Sequence, residues 1–169
     1  MAHFDERTED IQLPVRPAMS NGRVSGGGFR LPSEAQWEYA CRAGTTTAFS
    51  FGSTITPEQV NYNGNYPFAG AVKGLYREKT VPVKSLPPNA WGLYEMHGNV
   101  WQWCNDWYGD FSGSAERDPA GPSSGSYRVI RGGSWRNYAW NCRSAARVRA
   151  APGYRYTGLG FRVAAQATP

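Results

Sequence analysis

The sequence predicts an α+β domain rich in loops, with few helices and short strands, and three observations carry that expectation. Glycine and proline are abundant, at 20 and 12 of 169 residues. Aromatic side chains (7 Trp, 10 Tyr and 7 Phe) stand against a charged fraction of only 18%. Irregular backbone presents few aliphatic stripes, so a core built from it draws its area from large flat side chains. One segment has a complete helical signature with its stops, and the remaining structured runs are short, β-prone and separated by turn chemistry.

The length suits one domain. Residues 1–28 are polar and end in Ser25-Gly26-Gly27-Gly28, which suits a flexible or edge segment with at most one short strand around Ile11 to Val15. Residues 29–169 then form the domain. Its first element runs from Leu31-Pro32-Ser33 to Ala43-Gly44 and reads as a helix. Ser33 is placed as N-cap with Gln36 three residues on, Trp37, Ala40 and Cys41 share one face, and Gly44 supplies the break.

From Thr45 to Lys84 the pattern is loop, with turn chemistry at Asn61–Asn65 and Gly70–Gly74. A loop of that length in a compact domain is functional or pinned. Next, Trp101, Trp103, Asn105 and Trp107 alternate with Gln102, Cys104 and Asp106, the period of a strand, here expected to pack two or three tryptophans inward. Asp118–Gly125 is turn-rich. Tyr127–Arg131 and Gly160–Ala164 are short β-prone runs framing a segment from 131 to 163 that follows another logic.

That segment mixes two sets of residues. Arg131-Gly132-Gly133-Ser134-Trp135, Cys142-Arg143-Ser144-Ala145, Arg147, Pro152-Gly153, Arg155 and Leu159-Gly160-Phe161-Arg162 punctuate it. Between them stand Arg136, Asn137, Tyr138, Trp140, Ala146, Val148, Arg149, Ala150, Tyr154, Tyr156, Thr157 and Gly158. The second set follows neither the strand nor the helix period, so burial does not explain its composition. A surface built to touch something would.

Charge and chemistry narrow the function classes. The formal net charge of +5 is scattered rather than gathered into a basic run, which does not point to nucleic acid. Arginines among small and apolar residues suit bonds to loop carbonyls. Cys41, Cys104 and Cys142 have no C-x-x-C spacing, so small buried thiols are expected, with one disulfide and a free thiol the alternative. As written, the chain has no signal peptide or membrane-spanning run, which assigns it to the cytoplasm, with virion or cell-surface display the alternative. His97, beside Gly98 in a turn, reads as a hydrogen-bonding residue, and Ser134 lacks a nucleophile elbow. Asn61 and Asn99 could offer oxygens to calcium or simply cap turns. No firm cofactor is indicated.

Four stretches carry a resemblance. Arg30–Ala40, Pro87–Tyr94 with His97–Trp103, Arg131–Trp135 and Gly160–Arg162 resemble, in order, the formylglycine-generating enzyme or sulfatase-modifying factor domain. The resemblance covers about residues 29 to 165. It implies a C-type lectin-like fold. The oxygen-dependent enzymes of that family resemble copper proteins with two cysteines after the Arg-Gly-Gly-Ser motif. Here those positions hold Asn137 and Cys142. A single thiol does not supply the paired soft ligands that Cu(I) favours.

The segment 131–163 is also similar to the variable region of proteins diversified by retroelements, in which template adenines are replaced at random. Arg, Asn, Tyr, Ala, Val, Thr and Gly are all reachable from an asparagine codon in that way, and Trp140 from an adenine-starting arginine codon. The resemblance implies a non-catalytic binding protein whose twelve interrupting residues engage a macromolecular ligand, a protein, on a scaffold that tolerates their change. The alternative is a reduced oxygenase using Cys142 and a second, unassigned ligand.

Overall fold

The computed structural model describes residues 28–111, 113 and 116–165. The expected segment around Ile11–Val15 lies outside them. Helix α1 spans Glu34–Arg42 and begins with a reciprocal cap. Ser33 Oγ accepts from the Gln36 N–H (3.2 Å) and Gln36 Oε1 accepts from the Ser33 N–H (3.1 Å). Its stop comes one residue earlier than expected, because Ala43 itself takes the left-handed conformation (φ 48°) ahead of Gly44. Trp37 and Cys41 are buried as expected, and Ala40 is only half-buried. Glu34 and Glu38 are buried too, an arrangement that burial tolerates only with paired charges.

Those charges come from the sheet. Strands β1 (Trp101–Trp107), β2 (Arg128–Arg131), β3 (Arg147–Ala150) and β4 (Leu159–Gly160) lie in the order β3-β2-β1-β4. The β1–β4 pair is parallel and the others are antiparallel. Arg147 makes a two-pronged pair with Glu34 (2.8 and 2.7 Å), and Arg131 reaches both Glu38 and Glu34. A fork-on-carboxylate geometry joins α1 to two strands with defined orientation.

Strand β1 is buried on both faces, so the expectation of inward tryptophans is met for Trp101 and in part for Trp103, and the polar side is buried as well. Gln102, Cys104 and Asp106 are the buried set beneath α1, while Trp103 and Trp107 are half-buried on the other side and Trp101 alone among the three tryptophans is fully buried. The buried polar groups are satisfied: Gln102 Oε1 accepts from Trp37 Nε1 (2.7 Å), and Asp106 Oδ2 accepts from the Glu34 N–H (2.8 Å). With these bonds made, polar burial costs little and the helix selects that face.

Residues 147–150, expected to belong to the aperiodic segment, instead form β3 at the sheet edge. Val148 and Ala150 pack with Trp101 and Ile130, backed by Trp103, Tyr156 and Leu159. Alternation sends Arg147 and Arg149 to the side of α1. All three cysteines are buried and free, so the buried-thiol expectation holds. Gly133 lies against Cys142: its φ is 75°, and a Cβ there would sit 2.6 Å from Cys142 Sγ. Only glycine fits this turn.

Candidate binding face

After β2 the chain turns through Gly132-Gly133 and runs along the surface as the 135–140 segment, closing in a short 3-10 turn, Ala139–Cys142. The loop before it is stitched on by backbone bonds, Asn63 N–H to Asn137 O (2.9 Å) and Ala139 N–H to Tyr66 O (3.1 Å). Two loops distant in sequence therefore act as one surface.

Ring contacts continue across that seam. Tyr138, 48% exposed, stacks on Tyr66 with centroids 4.0 Å apart. Trp140 lies 5.6 Å from Phe68 and carries the Arg143 guanidinium at 3.8 Å. Arg136 lies over Trp135 (5.3 Å) and Tyr156 (5.9 Å), Trp135 stacks on Tyr76, and Tyr156 on the exposed Tyr154. Thr157 is exposed beside them. The face thus presents rigid aromatic area and guanidinium groups, the chemistry favoured at recognition surfaces. Tyr66, Phe68, Tyr76 and Trp135 are its unanticipated members. No sequence signal pointed to the first two, because the turn chemistry of the loop 61–74 does not say what that loop lies against.

The twelve residues do not all lie on this face. Ala146, Val148 and Ala150 are buried, which corrects the inference that burial does not explain them, and Val148 and Ala150 pack beneath Tyr156 of the face. Gly158 is buried rather than bordering a hollow, since a Cβ there would meet the Tyr156 ring at 2.7 Å and Ser134 Oγ at 2.8 Å. Arg149 is exposed, but on the opposite side of the sheet, over Tyr108 (5.6 Å) and Tyr127 (5.0 Å). Asn137 is half-buried and its Oδ1 accepts from Trp101 Nε1 (2.9 Å) and Ser134 Oγ (2.5 Å). The position is structural as well as superficial.

Beneath the face sits a second cluster. His97 Nδ1 meets the Cys142 carbonyl at 2.7 Å, its Nε2 receives the Ser50 N–H (3.1 Å), and Cys41 Sγ lies 3.6 Å from Nε2. Desolvation lowers the His97 pKa from 6.5 to about 4, and it pushes the Cys41 thiol up to about 12. Burial raises the Cys142 and Cys104 thiols as well. Neutral thiols are poor nucleophiles and poor soft-metal ligands.

Asn61 and Asn99 bond to one another. Asn61 Nδ2 donates to Asn99 Oδ1 (3.1 Å) and to Lys79 O, and Asn99 Oδ1 also receives the Val81 N–H. That leaves Asn61 Oδ1 as a buried oxygen with no partner, where calcium takes six to eight oxygens. The two side chains bridge the loops at 61, 79–81 and 99. Among the described residues no group of three or more His, Cys, Asp or Glu side chains could hold a metal ion. Nor is any helix there long and apolar enough to cross a membrane.

Fold and site together define a C-type lectin-like scaffold of the formylglycine-generating type, carrying an aromatic and cationic loop face. The chain belongs to the sulfatase-modifying factor enzyme 1-like domain family, whose model matches residues 12–167. It is similar to the formylglycine-generating enzyme of Mus musculus, 38% identical over 151 residues, covering 84% of this chain and 40% of that one. It is similar to the serine/threonine-protein kinase pkn1 of Chlamydia caviae, 39% identical over 150 residues, covering 86% of this chain and 22% of the kinase. Among solved structures, Treponema denticola variable protein 1 matches with a TM-score of 0.70 and 41% identity, over 83% of this chain and 49% of that one. The chain therefore spans half or less of these relatives' lengths.

Proposed function

We propose that the chain is a non-catalytic binding protein whose retroelement-diversified segment forms a face for a macromolecular ligand, a protein. One observation carries the reading. Between Ser134 and Arg147 three of the five adenine-reachable residues, Arg136, Tyr138 and Trp140, are exposed, with Asn137 half-buried and Ala146 buried, whereas Ala139, Asn141, Cys142 and Ser144 among them are buried. Substitution at the first set leaves the packing intact, and substitution at the second disrupts it. The likeness to a variable protein supports the same reading.

The test is to read the genomic neighbourhood of the coding sequence. A near-copy of the segment for residues 131–163, differing at adenines and lying beside a reverse transcriptase, is the expected finding. Its absence would overturn the diversified reading.

The relatives named as formylglycine-generating enzymes favour a second reading, an oxygenase built on Cys142. It requires a second soft ligand, and Asn137 occupies the position where the resemblance puts one. Titration of the purified chain with Cu(I) decides between the two: stoichiometric binding lost in Cys142→Ser would favour the enzyme.

A further inference from the structure

We infer that the partner of this face is an acidic protein segment, with an Asp or Glu carboxylate received by Arg136. The inference rests on the reading of the face as a binding surface and adds the partner's chemistry.

Residues 131–163 contain seven arginines and no Asp, Glu or Lys. Three of the seven are used internally. Glu34 and Glu38 neutralise Arg131 and Arg147 from below, and Arg162 is spent on Gln102 Oε1 and the carbonyls of Tyr94 and Glu95. Among the described residues, Arg136, Arg149 and Arg155 have no carboxylate partner. Arg149 is on the far side of the sheet. Arg136 belongs to the aromatic band, lying over Trp135 and Tyr156. A guanidinium held over a ring keeps its N–H edge outward, and that planar fork matches a carboxylate in two-pronged fashion.

Carboxylates on a protein fit this arrangement better than a nucleic acid strand. Base recognition needs open ring faces and a charge row along the phosphates. Here Trp135, Trp140 and Tyr156 each already carry two ring or cation partners: Tyr76 and Arg136, Phe68 and Arg143, Tyr154 and Arg136. The cations stand singly among aromatics rather than in a row. Apolar contact between isolated charges suits a peptide whose acidic residues are interspersed with hydrophobic ones.

The experiment pans a displayed random peptide library on the full chain after depletion on the Tyr138→Ala, Trp140→Ala variant. The expected result is a set of Tyr138-dependent peptides enriched in Asp and Glu. Their affinity should fall about tenfold in Arg136→Gln, the cost of one charge-assisted contact, and weaken as ionic strength rises. Arg136→Lys, which keeps the charge but not the fork, should recover only part of the loss. Tyr138-dependent peptides without acidic enrichment would overturn the acidic partner while leaving the binding face standing. So would a single-stranded oligonucleotide that displaces them more tightly than they bind. If no Tyr138-dependent peptide emerges, the face itself is wrong and this inference falls with it.

Discussion

Trp101 donates its indole N–H to Asn137 Oδ1 at 2.9 Å, so a residue of the 131–163 segment is tied to an inner strand of the sheet. The same oxygen receives the Ser134 hydroxyl. Replacing Asn137 by Ala strands two donors in a largely buried setting, at a cost of about 1–3 kcal/mol. Thermal melting should show a clear loss for Asn137→Ala and a smaller one for Asn137→Asp, which keeps an acceptor.

The pair between Arg131 and Glu38 is the second place where the sheet depends on a few atoms. Arg131 is fully buried, and Glu38 also carries Arg42 on its outer side (2.8 Å). Removing the carboxylate leaves the buried guanidinium with only Glu34, at 3.4 Å and already paired with Arg147. Glu38→Ala is expected to destabilise the fold by about 3–5 kcal/mol, while Arg42→Ala, at the exposed end of the same network, costs under about 1 kcal/mol. Chemical denaturation of the two variants reads the difference.

Acid should unfold this protein partly through His97. Its pKa is lowered from 6.5 to about 4 in the fold, chiefly by desolvation, so it stays neutral there while the unfolded chain takes up a proton. The unfolded state binds more protons between those values. Stability is therefore full above about pH 6.5 and falls as pH drops toward 4, by about 3 kcal/mol in all. Burial raises the Asp106 pKa, which acts in the opposite sense at the acid end. The slope of stability against pH across this window should flatten in His97→Asn, whatever that variant's absolute stability. An unchanged slope would assign the acid sensitivity elsewhere.

Variants of the twelve residues should sort by burial rather than by position in the chain. Val148, packed with Trp101 and Ile130, loses about 1–3 kcal/mol on truncation to Ala. Tyr138→Ala and Tyr154→Ala remove exposed rings and should move stability by less than about 1 kcal/mol. Equilibrium unfolding of the three variants checks the sorting.

What the sequence revealed follows from how far each feature reaches. The start of α1 was legible because Ser33 and Gln36 cap each other within one turn. Strand β1 was legible in place and in part for its tryptophan side, but the burial of Gln102, Cys104 and Asp106 was not. Its burial is decided by Trp37 and Glu34, 65 and 72 residues from the Gln102 and Asp106 groups they bond. Four residues of Arg-Val-Arg-Ala do not announce β3, because an arginine reads as surface until its partner Glu34, 113 residues away, is known. The face itself was legible as aperiodic polar and aromatic residues. Its extension to Tyr66 and Phe68 was not, since a loop's turn chemistry says nothing about what it lies against.

In a diversified binder the scaffold holds while the face changes. The direct measurement is a library randomised at all twelve positions, sorted first for folding and then for binding to one unrelated protein such as lysozyme. The account predicts that folded members accept any side chain at Arg136, Tyr138, Trp140, Tyr154 and Thr157, retain small or apolar residues at Ala146, Val148, Ala150 and Gly158, and yield binders whose affinity resides in the first set. Folded members restricted at the first set as tightly as at the second would contradict it.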